Sequence, residues 1–437
     1  SDIIIDIFKT SPKGVYSQSM DFLYYILTGG ILLITSPFLL LRGLVSFAFR
    51  KDIKERLNGA KALPKLKDSL WIHASSVGEV RLAKTLITVL QEQGETRPIV
   101  LSTFTPTGYT LAMEEKLPNV FRLPIDFPLW MNPVFGQIEP SQLILIEAEL
   151  WPCLLRQCKK RKIPVVQVNG RVSEKSIQRY GNFKSFFLWM TEAVSLFSMR
   201  SQTDADRLIE LGIPEDKIQV TGNIKFDVLP MGSEELKTVT FNPNSFLIVF
   251  GSTRPGDEGP VMEAFLKLKK DFPNIIGVIA PRHMQRCREV EDLIREFSVE
   301  YTLLSNMPEG DWANHPGSLI LVDKMGVLNS FYANAKLAYV GGGFNPRFGG
   351  QNILEPAVFG TPVLFGKHMN NFEEEARLLI ESGGGIQLQK EEELYSALKK
   401  LLLNSEERQE TGRAAAETVR NHRGAVLRTV KIIEETR

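Results

Sequence analysis

The sequence predicts an α/β protein built as two Rossmann-like domains behind an N-terminal membrane-anchoring helix. Three observations predict it. Phe22 to Leu41 runs for twenty residues without a charged side chain. From Ser69 onward, short β-branched apolar runs alternate with amphipathic stretches, the pattern of parallel strands covered on both faces. The alternation breaks once, between Val228 and Ser245, where Pro230, Gly232, Pro243 and a mixed charge run show no clean period. The expected divisions are therefore an anchor and basic segment over 1–66, a first domain over 67–235 and a second over 236–437, each domain of ordinary size.

The anchor comes first. Twenty helical residues at 1.5 Å each cross about 30 Å of hydrocarbon. Gly29, Gly30 and Pro37 are tolerable in such a helix. A cleaved signal peptide fits less well, because the apolar run is too long and its start is not basic. Arg42 to Lys67 then carries eight Lys/Arg against Asp52 and Glu55. By the positive-inside rule, this basic segment places the body in the cytoplasm, where it can also hold the body against anionic head groups. Pro37 and Gly43 are points where the helix can break, so spanning and lying in one leaflet both stay open; the alternative to membrane attachment is a buried apolar helix with a solvated basic linker.

The body follows. The first half gives strands at Leu70–His73, Pro98–Ser102, Leu143–Ile146, Pro164–Val168 and Ile218–Thr221. Its helices fall at Glu79–Gln93, Thr107–Lys116, Trp151–Arg161 and Asp204–Leu211. The stretch Phe186–Trp189 reads either as a buried core helix, the favoured account, or as an added contact to a membrane or acceptor. The second half gives strands at Phe246–Gly251, Ile275–Ala280, Tyr301–Leu304, Leu319–Val322, Leu337–Val340 and Pro362–Phe365. Helices accompany them at Asp257–Asp271, Arg286–Phe297, Glu374–Glu381 and Glu391–Leu403, with one long helix over Ser405–Thr436. In parallel sheets, ligands bind beyond the carboxyl ends of strands, so the chemistry belongs in the strand-to-helix loops.

Composition excludes several classes. A net charge of +1 from 52 basic and 51 acidic residues argues against a protein that binds nucleic acid by bulk electrostatics. Three cysteines are too few and too irregular for a disulfide framework or a Cys-rich zinc site, and five histidines show no ligand spacing. Asp204 and Asp206 have the DxD form of metal-dependent sugar transferases, but they open an amphipathic helix, where acids are favoured by the dipole. No metal or cofactor is expected at the reaction centre.

The loops hold the candidates. Glu79 ends the run WIHASSVGE in a first helical turn, either as an acid favoured by the dipole or as a general base at the sheet edge. The dipole draws its pKa down and burial would draw it up. Glu147 and Glu149, two apart after an apolar strand, point the same way in extended chain; they are either paired site acids or solvated loop acids. Lys225, in TGNIKFD, is either a surface lysine or a site cation. The loop FGSTRPG either offers backbone N–H groups to a phosphate or supplies Ser252 or Thr253 as a plain cap. Arg282, in PRH, is either a solvated loop arginine or a clamp that holds an anion with two parallel hydrogen bonds. The stretch GGGFNPRFGGQNILEP has five glycines that let backbone approach a ligand. Its Asn352 and Glu355 read as a capping-box-like helix start, as nucleotide ligands, or both. It is neither a Walker A loop nor a GxGxxG fingerprint.

These motifs, in order, resemble the Kdo (3-deoxy-D-manno-octulosonic acid) transferases of lipopolysaccharide synthesis. They are the anchor with its basic follow-on, HASSVGE, IEAELWP with VNGRVSEKS, TGNIKFD, and PRH…MG…GGGF…NILEPA. The resemblance implies a GT-B fold and transfer of Kdo from CMP-Kdo to the lipid A precursor, lipid IVA, with inversion and without a metal. It implies a chain on the cytoplasmic face of the inner membrane, in contact with its lipids. It implies Glu79 as general base and Glu149 and Lys225 in transition-state stabilisation. For CMP it points to Pro281 and Arg282, to Met325, Gly326 and Val327, and to Asn352, Ile353, Leu354 and Glu355. Two positions depart from the family pattern. Val327 stands where an acid is common, and Gln351 where a His is common. Another GT-B enzyme using a UDP-sugar and a lipid, or a non-catalytic nucleotide-sugar binding protein, would share the architecture.

Overall fold

The computed structural model describes residues 13–228, 246–308 and 318–437. The break read between Val228 and Ser245 falls largely outside them. The chain divides into two units, one of residues 1–228 with 423–437 and the other of 229–422.

The first unit begins with helix Lys13–Val45, which runs through Pro37 and stops before Ser46. Its segment Ser19–Val45 has a mean hydropathy of 1.8, long and apolar enough to cross a membrane by length and composition. Helix Phe47–Asn58 follows, capped by Ser46. Seven strands then form one parallel sheet: β1 (Ser69–His73), β2 (Ile99–Thr103), β3 (Val120–Arg122), β4 (Pro140–Ile146), β5 (Val165–Gly170), β6 (Val194–Met199) and β7 (Ile218–Val220), in the order β3-β2-β1-β4-β5-β6-β7. Alternate residues of β1 and β4 enter opposite cores. Trp71, Leu143 and Leu145 join one, while Leu70, Ile72, Ile144 and Ile146 join the other. That two-sided burial is why the strands read as unbroken apolar runs. Phe187 and Trp189, in helix Lys184–Thr191, are buried in the first core, as a core helix predicts.

The second unit repeats the plan. Its strands are β8 (Phe246–Thr253), β9 (Ile275–Pro281), β10 (Tyr301–Leu303), β11 (Leu319–Leu321), β12 (Leu337–Val340), β13 (Val363–Gly366) and β14 (Gly385–Leu388). They are parallel, in the order β10-β11-β9-β8-β12-β13-β14.

The C-terminus departs from the expected division. The single helix expected over Ser405–Thr436 is two, Ser405–His422 and Ala425–Glu435. They part at Gly424, whose φ of +85° is left-handed and open to glycine at little cost. The last helix does not stay with residues 236–422. Asp227 accepts hydrogen bonds from the N–H groups of Gly424 (2.7 Å) and Val426 (2.8 Å), capping it. Val426, Val430 and Ile433 bury in the first unit's second core. The TGNIKFD aspartate is thus a fastening for a segment two hundred residues away. Asp227→Ala is expected to lower the first unit's stability by about 1–2 kcal/mol through loss of that cap. A thermal melt should show a midpoint lower by roughly 2–8 °C.

Candidate active site

In each sheet the strand order reverses between two neighbours, β1 and β4 in the first unit and β8 and β12 in the second. Loops leaving such neighbours diverge and open a crevice beyond the strand ends. The candidate residues lie on these loops.

In the first unit, helix Val77–Glu92 starts immediately after β1. Val80, Leu86, Ile87 and Leu90 bury one face of it, which fixes its first turn at the sheet edge. Glu79 sits in that turn and is only 8% exposed. Its Oε2 accepts from the N–H of Ser75 at 2.7 Å, and its Oε1 from the hydroxyl of Ser76 at 2.8 Å. Ser76 Oγ in turn accepts from the Glu79 N–H, so the capping reading holds. Even so, burial first and the charges of Glu149 and Glu147 next push this carboxyl up to about 7, overcoming the two hydrogen bonds. The net direction is upward, the direction that burial favours. A carboxylate poised there is suited to general-base work near neutral pH.

Glu149 is driven the other way. Burial raises it, but His73, Trp151 and Ser75 together hold it below the usual carboxylate range. The Trp151 indole N–H is shared between Glu149 Oε2 (3.0 Å) and His73 Nε2 (3.1 Å). His73 is fully buried, and its Nδ1 lies 2.8 Å from Ser102 Oγ. Ser102 also accepts from Trp71 Nε1 at 2.8 Å, which anchors the chain to the strand core. Two neighbouring carboxyl groups with pKa values forced apart mark one as proton acceptor and the other as fixed charge.

Glu147 corrects the extended-chain expectation. Its φ is +59°, so the chain turns there and the alternation that would align Glu147 with Glu149 stops. The Gln167 side chain donates to its carbonyl and Asn169 Nδ2 to its Oε1 at 3.4 Å. Asn169 Oδ1 accepts from Ile224 N at 2.9 Å, which ties the Lys225 loop to the Glu147 loop. Lys225 itself stands in the short turn Ile224–Phe226, with its N–H capped by Asn223.

Asp204, the first acid of the DxD form, is spent on structure. It accepts from Val172 N at 2.8 Å and from Ser201 Oγ at 2.7 Å.

In the second unit, Asp257 organises the site. It is almost fully buried and accepts from Arg254 N (2.7 Å), Gly342 N (2.7 Å) and Tyr339 Oη (2.9 Å). Burial pushes it up to about 6 despite these bonds. It therefore occupies one N–H of the β8 loop that was expected to offer a phosphate, and one of the glycine loop that was expected to approach a ligand. The glycines answer to the protein as well. A Cβ on Gly343 would lie 2.6 Å from Gly366 N, and one on Gly341 2.6 Å from Asp257 Oδ2. Backbone packs on backbone there, and a ligand is not needed to explain the glycines.

What remains for an anion is a cluster of side chains. Pro281 ends β9, and the following Arg282 N–H donates to Thr253 O at 3.0 Å, which brings the PRH loop beside the β8 loop. Arg254 Nη1 lies 2.7 Å from His283 Nε2. Among the described residues neither Arg254 nor Arg282 has a carboxylate at ion-pair distance, whereas Arg286 is paired with Glu258 at 2.6 Å. Burial, then Arg282 and Arg286, hold the Arg254 pKa below its usual value; burial, then Arg254, Arg282 and Arg286, do the same to His283. Like charges gathered this way make a ready anion site.

The other donor-side candidates fall on two further loops. Met325, Gly326 and Val327 precede helix Leu328–Asn334, with Met325 largely exposed and Gly326 at φ +80°. Asn352 Nδ2 donates to Glu355 Oε1 at 3.2 Å, and Leu354 N donates to Asn352 Oδ1, a cap for helix Leu354–Ala357. Ile353 and Leu354 are fully buried, so neither presents its side chain to a ligand. Sequence reasoning missed His73, Arg254 and Asp257. An arginine just before a proline at a strand's carboxyl end was the available signal for Arg254; His73 ended an apolar strand and gave none.

Comparison with known proteins follows the same lines. The family model for 3-deoxy-D-manno-octulosonic-acid transferase (kdotransferase) matches residues 51–228. The 3-deoxy-D-manno-octulosonic acid transferase of Haemophilus influenzae is 32% identical over 92% of this chain and 96% of its own. A bifunctional glycosyltransferase/methyltransferase of Fusobacterium nucleatum is 31% identical over 82% of this chain, which spans 58% of that longer protein. The UDP-GlcNAc 2-epimerase of Neisseria meningitidis, solved with UDP-GlcNAc bound, shares the fold, with a TM-score of 0.58 at 15% identity over 84% of this chain and 99% of that one.

Proposed function

The chain belongs to the Kdo transferase family of glycosyltransferases, and from that premise we propose that it transfers Kdo from CMP-Kdo to the lipid A precursor at the cytoplasmic face of an inner membrane. The observation that carries the mechanism is Glu79, a buried carboxyl pushed up to about 7 at the strand-order reversal of the first sheet.

In this reading the acceptor hydroxyl attacks the anomeric carbon of Kdo opposite the phosphate. The new carbon–oxygen bond forms as the bond to CMP breaks, with inversion. Glu79 takes the hydroxyl proton, and the bonding electron pair leaves with the phosphate. Arg282 and Arg254 neutralise that phosphate through charge-assisted hydrogen bonds, which replaces the role a metal plays in other transferases. Asn352 and Glu355 take the ribose hydroxyls, and the Met325–Val327 backbone and Pro281 flank the base. Lys225 and the negative charge of Glu149 act on the transition state. The apolar helix keeps the enzyme on the membrane that holds its lipid acceptor.

The test is the product mass after incubation with CMP-Kdo and lipid A precursor, with and without EDTA. One or more added Kdo residues at an unchanged rate under EDTA are expected. Loss of activity with EDTA overturns the metal-free mechanism. Preference for a UDP-sugar overturns the donor, and donor binding without any transfer overturns the enzyme reading.

A further inference from the structure

The apolar helix ends at Val45, and both its flanks are fastened to the same unit. On the N-terminal flank, Asp21 meets Arg156 at 2.6 Å and accepts from Trp189 Nε1 at 2.9 Å. Tyr24 Oη donates to Asp126 at 3.1 Å, and the Tyr24 and Trp189 rings pack 5.6 Å apart. Asp126 is itself fixed by the N–H groups of Cys153 and Leu154. On the C-terminal flank, Asp52 meets the buried Arg122 at 2.8 Å. Arg56 donates to Phe104 O at 2.9 Å and to Leu123 O at 3.4 Å, with its guanidinium 4.1 Å from the Phe104 ring.

The fastening points Arg122, Leu123 and Asp126 lie within five residues of chain. Four steps of extended backbone reach at most about 14 Å. The hydrocarbon core of a bilayer is about 30 Å thick. A spanning helix would carry Val45 about 30 Å from Tyr24, to the far face. Only six residues separate Val45 from Asp52, and as helix the seven steps between them return about 10 Å. The two flanks cannot stand on opposite faces while both fastenings hold.

We propose that the N-terminal helices form a re-entrant hairpin, hinged at Ser46, that enters a single leaflet and leaves the N-terminus on the same side as the body. This rests on the membrane attachment proposed above and deepens it. The hinge is built for such a place. Leu44, Val45 and Phe47 beside it are 77%, 88% and 73% exposed. Arg50 Nη1 donates to Gly43 O (2.7 Å) and Leu44 O (2.9 Å), carbonyls at the helix break. The Arg42 guanidinium lies 5.0 Å from the Phe49 ring and that of Arg50 5.8 Å from Phe47. Cations so placed favour the head-group region of an anionic leaflet over the bilayer centre.

The experiment uses the full chain, carrying a cleavable tag ahead of residue 1, in sealed inverted membrane vesicles from cells that express it. In a Cys287→Ser background, which leaves only the buried Cys153 and Cys158, Ser19→Cys and Ser405→Cys are each treated with a membrane-impermeant maleimide. Equal labelling of both before detergent, with removal of the tag by added protease, is the expected result. Labelling at 405 alone until detergent is added, with the tag protected, means the helix spans and overturns the hairpin. The tag readout needs no substitution and holds even where a cysteine variant misfolds. Recovery of the chain in the soluble fraction overturns the membrane reading itself, and the hairpin with it.

Discussion

Glu79→Gln is expected to lower kcat by roughly 10²–10⁴ while leaving the fold intact, because general-base catalysis is worth about that much. The substitution is nearly isosteric. Glutamine can still accept from Ser75 N–H and donate to Ser76 Oγ, so the cap at the start of helix Val77–Glu92 survives. A residue that mattered only as a cap would therefore lose little activity. Stability separates the two roles as well. The folded protein raises this carboxyl from 4.5 to about 7, so it favours the protonated form. Its unfavourable contribution grows as pH rises from about 4.5 and is complete above about 7. Glu79→Gln should thus be no less stable than the parent at pH 8, and relatively less favoured at pH 5. In the parent, kcat/KM should rise with pH through about 7 as the base loses its proton. Glu149→Gln removes the largest charge that raises Glu79, so its acid limb should move to lower pH. An unchanged limb would mean that Glu79 is not the group that titrates, and full activity in Glu79→Gln would remove it from the mechanism.

Much of the fold was legible because of how parallel sheets bury their strands. Runs such as Leu143–Ile146 and Ile275–Ala280 are apolar at every position, since both faces are covered. The elements that escaped are those without such a run. Strand Val194–Met199 interleaves serines with its apolar residues. Helix Pro128–Ile138 carries Pro133 inside it, which reads as loop. The fate of the last helix was not local information at all, because Asp227 and the core that receive it lie two hundred residues upstream. The site shows the same division. That Glu79 and Glu149 stand at sheet edges was legible from strand ends and helix starts. That one is pushed up and the other held down was not, because His73, Trp151 and Ser102 arrive from three different loops and strands. The glycine stretch misled in a useful way: its glycines were visible, but the chain they admit is the protein's own.

Arg254→Ala and Arg282→Ala should each raise the donor KM, and the Kd for CMP, by about 10- to 100-fold, with a smaller effect on kcat. A hydrogen bond to a charged group is worth about 1.5–3 kcal/mol, and both guanidinium groups stand without a carboxylate at ion-pair distance among the described residues. The neighbourhood is already strained by like charge, since Arg254, Arg282 and Arg286 all act to lower His283. Removing either arginine relieves that repulsion in the free protein, so the variants should fold as well as the parent. Their loss should then appear only with ligand present. The double variant should fall short of the product of the single effects, because the two cations share one anion. A lysine at 282 should recover only part of the affinity, as a point charge cannot make two parallel bonds. His283 supplies an independent readout. A bound phosphate offsets the three arginines that disfavour its charged form, so its pKa should rise on binding. The imidazole NMR signals of His283 should therefore titrate at higher pH with CMP bound than without it. In Arg254→Ala that difference should shrink, because His283 starts closer to its ordinary value. An unmoved titration, or CMP affinity unmoved by both substitutions, would place the donor phosphate elsewhere in the second unit.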